Sequence, residues 1–287
     1  MSSVLEPSTV KQKGWLAQLN LEFTPRNSRT VLTKNQHTGP LVVQKPFYPE
    51  DAVCHVYIIH PPGGVVGGDT LSIEVTNHEQ SHVVITTPAA NKFYRSSGPL
   101  ARLNQHLTIE AHACLEWLPQ ETILFDGSSV HGVTRIDLHE NSRFIGWDIT
   151  CLGRPASGES FTHGLFRQRL ELYQQDQPLF IERALLKGGH DVLHAAWGLQ
   201  AFTVTATMIA YPANKILLEQ ARALLNENPS SNHSDALCSA TLIDEVLVCR
   251  YLGHHGEHAK KVFTSIWSAI RPALLNRKAC APRIWST

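Results

Sequence analysis

An excess of charge is the first thing this sequence lacks: 25 lysines and arginines stand against 25 aspartates and glutamates, and only 17% of the 287 residues are charged. Without net charge, no general electrostatic pull toward nucleic acid or an anionic membrane is expected. Long apolar runs are missing too. No stretch approaches the roughly 18 apolar residues needed to cross a bilayer as a helix, and the opening MSSVLEPSTVKQKG carries no apolar core of an export signal. A soluble, cytoplasmic protein with no nucleic-acid and no membrane partner is therefore expected. The six cysteines, Cys54, Cys114, Cys151, Cys238, Cys249 and Cys280, form no C-x-x-C pair. That spacing argues against a structural zinc site or a disulfide framework, and for reduced thiols in the core.

Familiar catalytic and nucleotide signatures are also absent. In HPPGGVVGGDTL (60–71), four glycines suggest a phosphate loop, but Asp69 stands where a Walker A loop has its lysine. The alternating segment LSIEV follows Gly64, Gly67 and Gly68, where a dinucleotide site needs the N-terminus of a helix. The expected role of these glycines is a tight turn or bulge between strands. There is no G-x-S-x-G; the nearest stretch, Gly158 to Thr162, lacks the second glycine. There is no H-E-x-x-H, and His254 and His258, four residues apart, lack a third ligand. No cofactor-binding and no catalytic residues are assigned.

What is present is a periodicity of two. Leu71, Ile73 and Val75 alternate with Ser72, Glu74 and Thr76; Leu103, Leu107 and Ile109 alternate with polar neighbours in ARLNQHLTIE. Similar runs are read at 53–59, 82–86, 115–118, 133–138, 144–150, 167–173, 179–182, 202–209, 236–243 and 245–251, separated by turns such as Asp126-Gly127 and Gly188-Gly189. Two stretches have helical spacing instead, 214–226 and 256–276, with Pro272 expected to kink or interrupt the second. The loop-like stretch NENPSSNHSD (226–235) is too short for a linker between domains. One mainly β domain over 1–287, with two α-helices toward its C-terminus, is expected. Its edges are managed by a barrel, by stacked sheets or by a β-solenoid, and the residues do not choose among these. No repeat of fixed period is visible.

Carboxylates in glycine-rich settings remain: Asp69, Asp126 in LFDGSS, Asp148 in GWD and Glu159 in GRPASGE. Such oxygens suit hard or borderline divalent ions, and Asp69 and Asp126 equally suit turns. Trp117 and Trp147 are read as core. Thr86, Thr87, Lys92, Tyr94 and Arg95 are read as a partner surface, as internal support for the glycine loop, or simply as a strand end with buried polar hydrogen bonds.

Taken in order, HPPGGVVGGDTL, ITTPAANKFYRS, LEWLPQETILFDGSS, GWDITCLGRPASGESFTHGLFRQRLELY and the closing PRIWST resemble the D/H-type urease accessory proteins, as do GWLAQLNLEF and GPLVVQKPFYPED near the start. The resemblance covers essentially the whole chain. It implies stacked or helically wound β-sheets with two helices and a role that is not enzymatic. That role is a maturation factor that binds apo-urease and works with the F-type accessory protein and the G-type accessory GTPase. Nickel, held weakly and transiently, is the implied cargo, with an internal polar route on which Asp69, Asp148, Glu159 and Asp126 are the candidate metal-route residues and Arg154 lies nearby. An interaction module without metal traffic, or a β-rich metal-dependent enzyme, are the alternatives.

Overall fold

The computed structural model describes residues 14–227 and 236–286. The segment 1–13 and most of the loop expected at 226–235 lie outside the described residues. In chain order the strands are β1 (Leu16–Arg26), β2 (Arg29–Thr38), β3 (Val42–Val43), β4 (Cys54–Ile59), β5 (Thr70–Asn77), β6 (His82–Thr86), β7 (Asn91–Phe93), β8 (Ala101–Ile109) and β9 (Cys114–Leu118). They continue as β10 (Thr122–Leu124), β11 (Ser129–Leu138), β12 (Arg143–Leu152), β13 (Leu165–Gln174), β14 (Gln177–Lys187) and β15 (Val204–Tyr211). Helix α1 (Lys215–Glu227), strands β16 (Ala236–Ile243) and β17 (Val246–Gly253), and helix α2 (Gly256–Leu275) complete the set.

The chain winds as a β-solenoid. From β4 onward it crosses repeatedly between two sheets, so that β4, β6, β9 and β12 stack in parallel in one and β5, β8, β11 and β13 in the other. Antiparallel partners close the ends: β2 and β14 flank the outer sheet, while β15, β17 and β16 extend the inner one. Thr70, Arg102, His131 and Arg167 lie one above the next in the outer sheet, 32, 29 and 36 residues apart in sequence. These unequal coils explain why no fixed period is visible in the sequence.

Three layers result, and they account for the residue pattern. The outer sheet turns Leu71, Ile73, Val75, Leu107 and Ile109 inward against Val83, Ile85, Leu115 and Trp117, and its polar alternates outward. The inner sheet is covered on both faces, so β9 (CLEWL) is buried along its whole length. Its second face packs on the helices through Ile145, Trp147, Met208, Ala221, Phe263, Ile266 and Trp267, each large side chain contributing roughly 1.5–3 kcal/mol by leaving water. Helix α1 thus spends Leu217, Leu218, Ala221 and Leu225 on this chain's own core. Its first turn is capped by Asn214, whose Oδ1 accepts the Leu217 N–H at 3.1 Å.

Several strands are longer than their sequence pattern suggests. β1 and β2 were not among the expected strands, although Leu19, Leu21 and Phe23 alternate inward along β1; β7 and β10 are three residues each. Helix α2 is not interrupted at Pro272, which lies inside it. The missing N–H removes a single bond near the C-terminus, and buried Arg271, Leu274 and Leu275 hold the last turn. It ends at Asn276, in the left-handed region at φ 54°.

Arg271 belongs to a buried charge network. It bonds both oxygens of Glu116, at 2.9 Å from Nε and 3.0 Å from Nη2, and both oxygens of Glu50 at 2.8 Å. Glu116 also accepts from Trp267 Nε1 at 2.6 Å and contacts His82 Nε2 at 2.7 Å, and Glu50 meets His55 Nε2 at 2.8 Å. Burial raises the Glu116 pKa, but His82 and Arg271 outweigh it and hold it at about 2.

Candidate functional site

The glycine motifs are the corners where one coil passes to the next. HPPGGVVGGDTL joins β4 to β5, and its Val65 pairs alongside β7, with N–H bonds to the Lys92 carbonyl at 2.7 Å and from Tyr94 at 2.9 Å. A Cβ at Gly64 would stand 2.2 Å from the Tyr94 ring, and one at Gly67 2.1 Å from Ser96 Oγ. The glycines are therefore required by close approach. The later corners stack on this one: Ser96 N–H donates to the Gly127 carbonyl, Gly127 N–H to His163 and Gly188 N–H to Gly164, each at 3.0 Å. Lys92 and Tyr94 thus support the glycine loop. Thr86 Oγ1 donates to Leu118 and accepts from Trp285 Nε1 at 3.0 Å, while Thr87 Oγ1 accepts the Gln120 N–H at 2.9 Å. Arg95 is exposed beside Asp126 at 3.6 Å.

Each sequence-predicted carboxylate has a definite place on this frame. Asp69 closes the first corner, Oδ1 accepting the Trp15 N–H at 2.8 Å and Oδ2 the Val66 N–H at 3.1 Å. Asp126 ties its corner to the next by accepting the N–H groups of Thr162 and His163, both at 2.7 Å. Burial works against that carboxylate's charge, yet these donors hold its pKa below the ordinary range. Glu159 accepts from Arg154 Nη2 at 2.6 Å and from the Asp126 N–H at 3.0 Å. The Arg154 bond lowers its pKa, and the guanidinium also lies over the Phe125 ring at 4.1 Å. Asp126 and Glu159 are thus brought together at the corners. Asp148 is not: it points between the two sheets.

Two neighbouring hollows lie between the corners and that interior. A mouth of 560 Å³ is walled by His60, Gly64, Asp69, Leu71, Tyr94 and Ser96 among others, and burial, only partly offset by Asp69, lowers the His60 pKa. An inner cavity of 170 Å³ shares His60, Gly64 and Leu71 with the mouth and reaches Gln105, Thr122 and Asp148. Burial raises the Asp148 pKa, against hydrogen bonds from Gln168 and Thr150; Thr150 Oγ1 lies at 3.0 Å from its Oδ1. Beyond it the interior stays polar: Thr134 Oγ1 bonds Gln105 at 2.7 Å, Thr207 Oγ1 bonds Glu182 at 2.9 Å, and Arg250 pairs with Glu182. Thr207 sits opposite both Asp148 and Arg250 in the inner sheet.

Sequence reasoning missed His60, Gln105, Gln168, Glu182, Thr207 and Arg250. The available signal was polar residues at inward positions of otherwise alternating strands, as in Gln168 and Glu182, which period-two reading assigns to a solvent face. Among the described residues no group of three or more His, Cys, Asp or Glu side chains is arranged to hold a metal ion. His258 Nδ1 lies 3.1 Å from the Tyr251 hydroxyl and His254 packs on Phe202 at 5.0 Å. All six cysteines are free, with Cys54, Cys114 and Cys249 buried, and Trp117 and Trp147 are core.

These features define a class: a two-sheet β-solenoid backed by helices, with Asp69, Asp126 and Glu159 at its corners and Asp148 between the sheets rather than gathered into one centre. The family described as UreD urease accessory protein matches residues 16–286. A urease accessory protein UreD of Citrobacter koseri is 44% identical over 277 residues, covering 96% of this chain and 93% of that one. The Alcanivorax borkumensis protein of the same name is 44% identical over 285 residues, covering 98% and 95%, and that of Aliivibrio fischeri strain ES114 is 41% identical over 279 residues, covering 96% and 97%. The chain belongs to the UreD urease accessory protein family.

Proposed function

We propose that this chain acts in urease maturation as a scaffold that binds apo-urease and, together with the F-type accessory protein and the G-type accessory GTPase, passes nickel toward the urease active site. The GTP chemistry belongs to the G-type partner. What supports the reading is that Asp69 and His60 line the mouth, that Asp148 lines the inner cavity, and that Thr207, beside Asp148 in the inner sheet, bonds Glu182. A cargo ion must leave each stop as readily as it arrives, so single carboxylates spaced along a path serve transfer better than a closed cage of ligands. Asp148 is the stop with the fewest structural duties. Asp69 holds the first corner as well as lining the mouth, whereas Asp126 and Glu159 fasten later corners and line neither hollow.

The test is co-expression with the urease subunits and the other accessory proteins, followed by isolation of the complex and assay of its nickel content and urease activity. Asp148→Asn, and separately the combined replacement of Asp69, Asp148 and Glu159 by alanine, should lower nickel incorporation while the complex still isolates. Full nickel activation in a complex carrying either variant would overturn the route.

A further inference from the structure

Although the chain is neutral overall, one face concentrates positive charge. On the solvent side of the outer sheet, three neighbouring registers carry Arg102, His131, Arg167 and Leu185; Asn104, Val133, Arg169 and Arg183; and Ser129, Leu165 and Lys187. Arg102, Arg167, Arg183, Leu185 and Lys187 are exposed. Glu171 pairs with Arg169, whereas Arg102, Arg167, Arg183 and Lys187 make no ion pair or side-chain hydrogen bond among the described residues. Between Arg167, Arg169, Arg183 and Leu185 lies a depression of 310 Å³. His131 sits in the middle with a buried Nε2 that has no partner, and burial, then Arg167, Arg102 and Arg169, lowers its pKa.

An uncompensated cluster of this kind costs folding free energy through like-charge repulsion and an unmet polar atom. It is relieved by an anion. Neighbouring strands are about 4.8 Å apart and alternate residues about 6.7 Å apart along a strand, so the guanidiniums form a flat lattice rather than the deep cradle that a single phosphate requires. No Phe, Tyr or Trp ring stands on these registers to stack a base. Leu185 and Ile181, 55% and 40% exposed, stand among the charges instead, and arginine mixed with apolar side chains is the composition of protein interfaces. We infer that the outer face of β11, β13 and β14 is a docking surface for a carboxylate-rich protein segment. The face lies away from the helices and does not depend on the nickel route.

Immobilised poly-L-glutamate is the probe, with duplex DNA and inorganic phosphate as separate arms. The full chain is compared with Arg167→Glu/Arg183→Glu, with Arg167→Lys/Arg183→Lys, and with Lys261→Glu on α2 as a charge reversal away from this face. Wild-type protein is expected to bind poly-L-glutamate at low salt; the double reversal should weaken binding at least about tenfold, while the lysine pair and Lys261→Glu stay within about threefold. Each substituted side chain is exposed, and unchanged melting temperatures confirm folding. Absence of wild-type binding, equal loss in the Lys261→Glu control, an undiminished double reversal, or tighter binding to DNA or phosphate than to poly-L-glutamate would each refute the assignment.

Discussion

Glu116→Gln isolates the charge at the centre of the network between the inner sheet and α2. The wild-type carboxylate is fully buried and its pKa is held at about 2 rather than 4.5. Each pH unit of displacement corresponds to about 1.4 kcal/mol, so the ionised group contributes about 3 kcal/mol at neutral pH. A pKa lowered by folding gives stability that is complete above the unfolded value and disappears as pH falls through the folded one. The variant should therefore be less stable than wild type by about 3 kcal/mol at pH 7, and the difference should shrink to roughly half or less by pH 3. Glutamine keeps one acceptor oxygen, which can serve Trp267 Nε1 and Arg271 Nε while the Arg271 Nη2 bond is lost, and Glu50 still pairs with Arg271, so the loss stays below that of Arg271→Met. That second change leaves two buried carboxylates without their cation and should cost about 3–5 kcal/mol. Urea unfolding of both proteins across this pH range reads the difference directly. A gap under 1 kcal/mol at pH 7, or an equal gap at pH 7 and pH 3, would refute the reasoning.

Because burial raises the Asp148 pKa, folding is opposed by its charge at high pH and the opposition fades on acidification. Asp148→Asn should accordingly be as stable as wild type or more stable at pH 8 in thermal melts, while nickel-dependent urease activation drops; a strongly destabilised variant would contradict this. Gly64→Ala places a methyl group into the Tyr94 ring and should cost about 1–3 kcal/mol, partly restored by adding Tyr94→Ala; additive losses in the double variant would show that the contact is not the cause. Asp126→Ala strips the acceptor from the Thr162 and His163 N–H groups and should cost about 1–3 kcal/mol, with faster amide exchange confined to those corners. Burial pushes the Cys54 thiol to about 11 and Cys249 to about 12, so both should resist iodoacetamide at pH 8 until urea is added; rapid labelling of the folded protein would count against their burial.

The sequence made the strands legible where only one sheet face is buried. β5 and β8 show their alternation openly, and 236–243 coincides with β16; 82–86 coincides with β6 although that strand is covered on both faces. β7 and β10 were not legible, since three residues carry no periodicity and their strand geometry comes from neighbours in the stack. Helix α2 runs on through Pro272 because buried side chains, which local rules do not count, hold its final turn. At the site, the negative charge of Asp69 was enough to argue against a phosphate loop, but the glycine requirement at 64 and 67 follows from Tyr94 and Ser96, some thirty residues away in the chain.

By itself the sequence determined a neutral, strand-dominated chain with two late helices, and its ordered motifs carried the family. Only the tertiary structure decided that the strands coil between two sheets, because unequal coils leave no period to read. It also separated Asp148, which faces the interior, from Asp126 and Glu159, which fasten the corners. The physical reason is the same in both cases: period two says that residues alternate, while only the packing of one coil against the next says which side is inside.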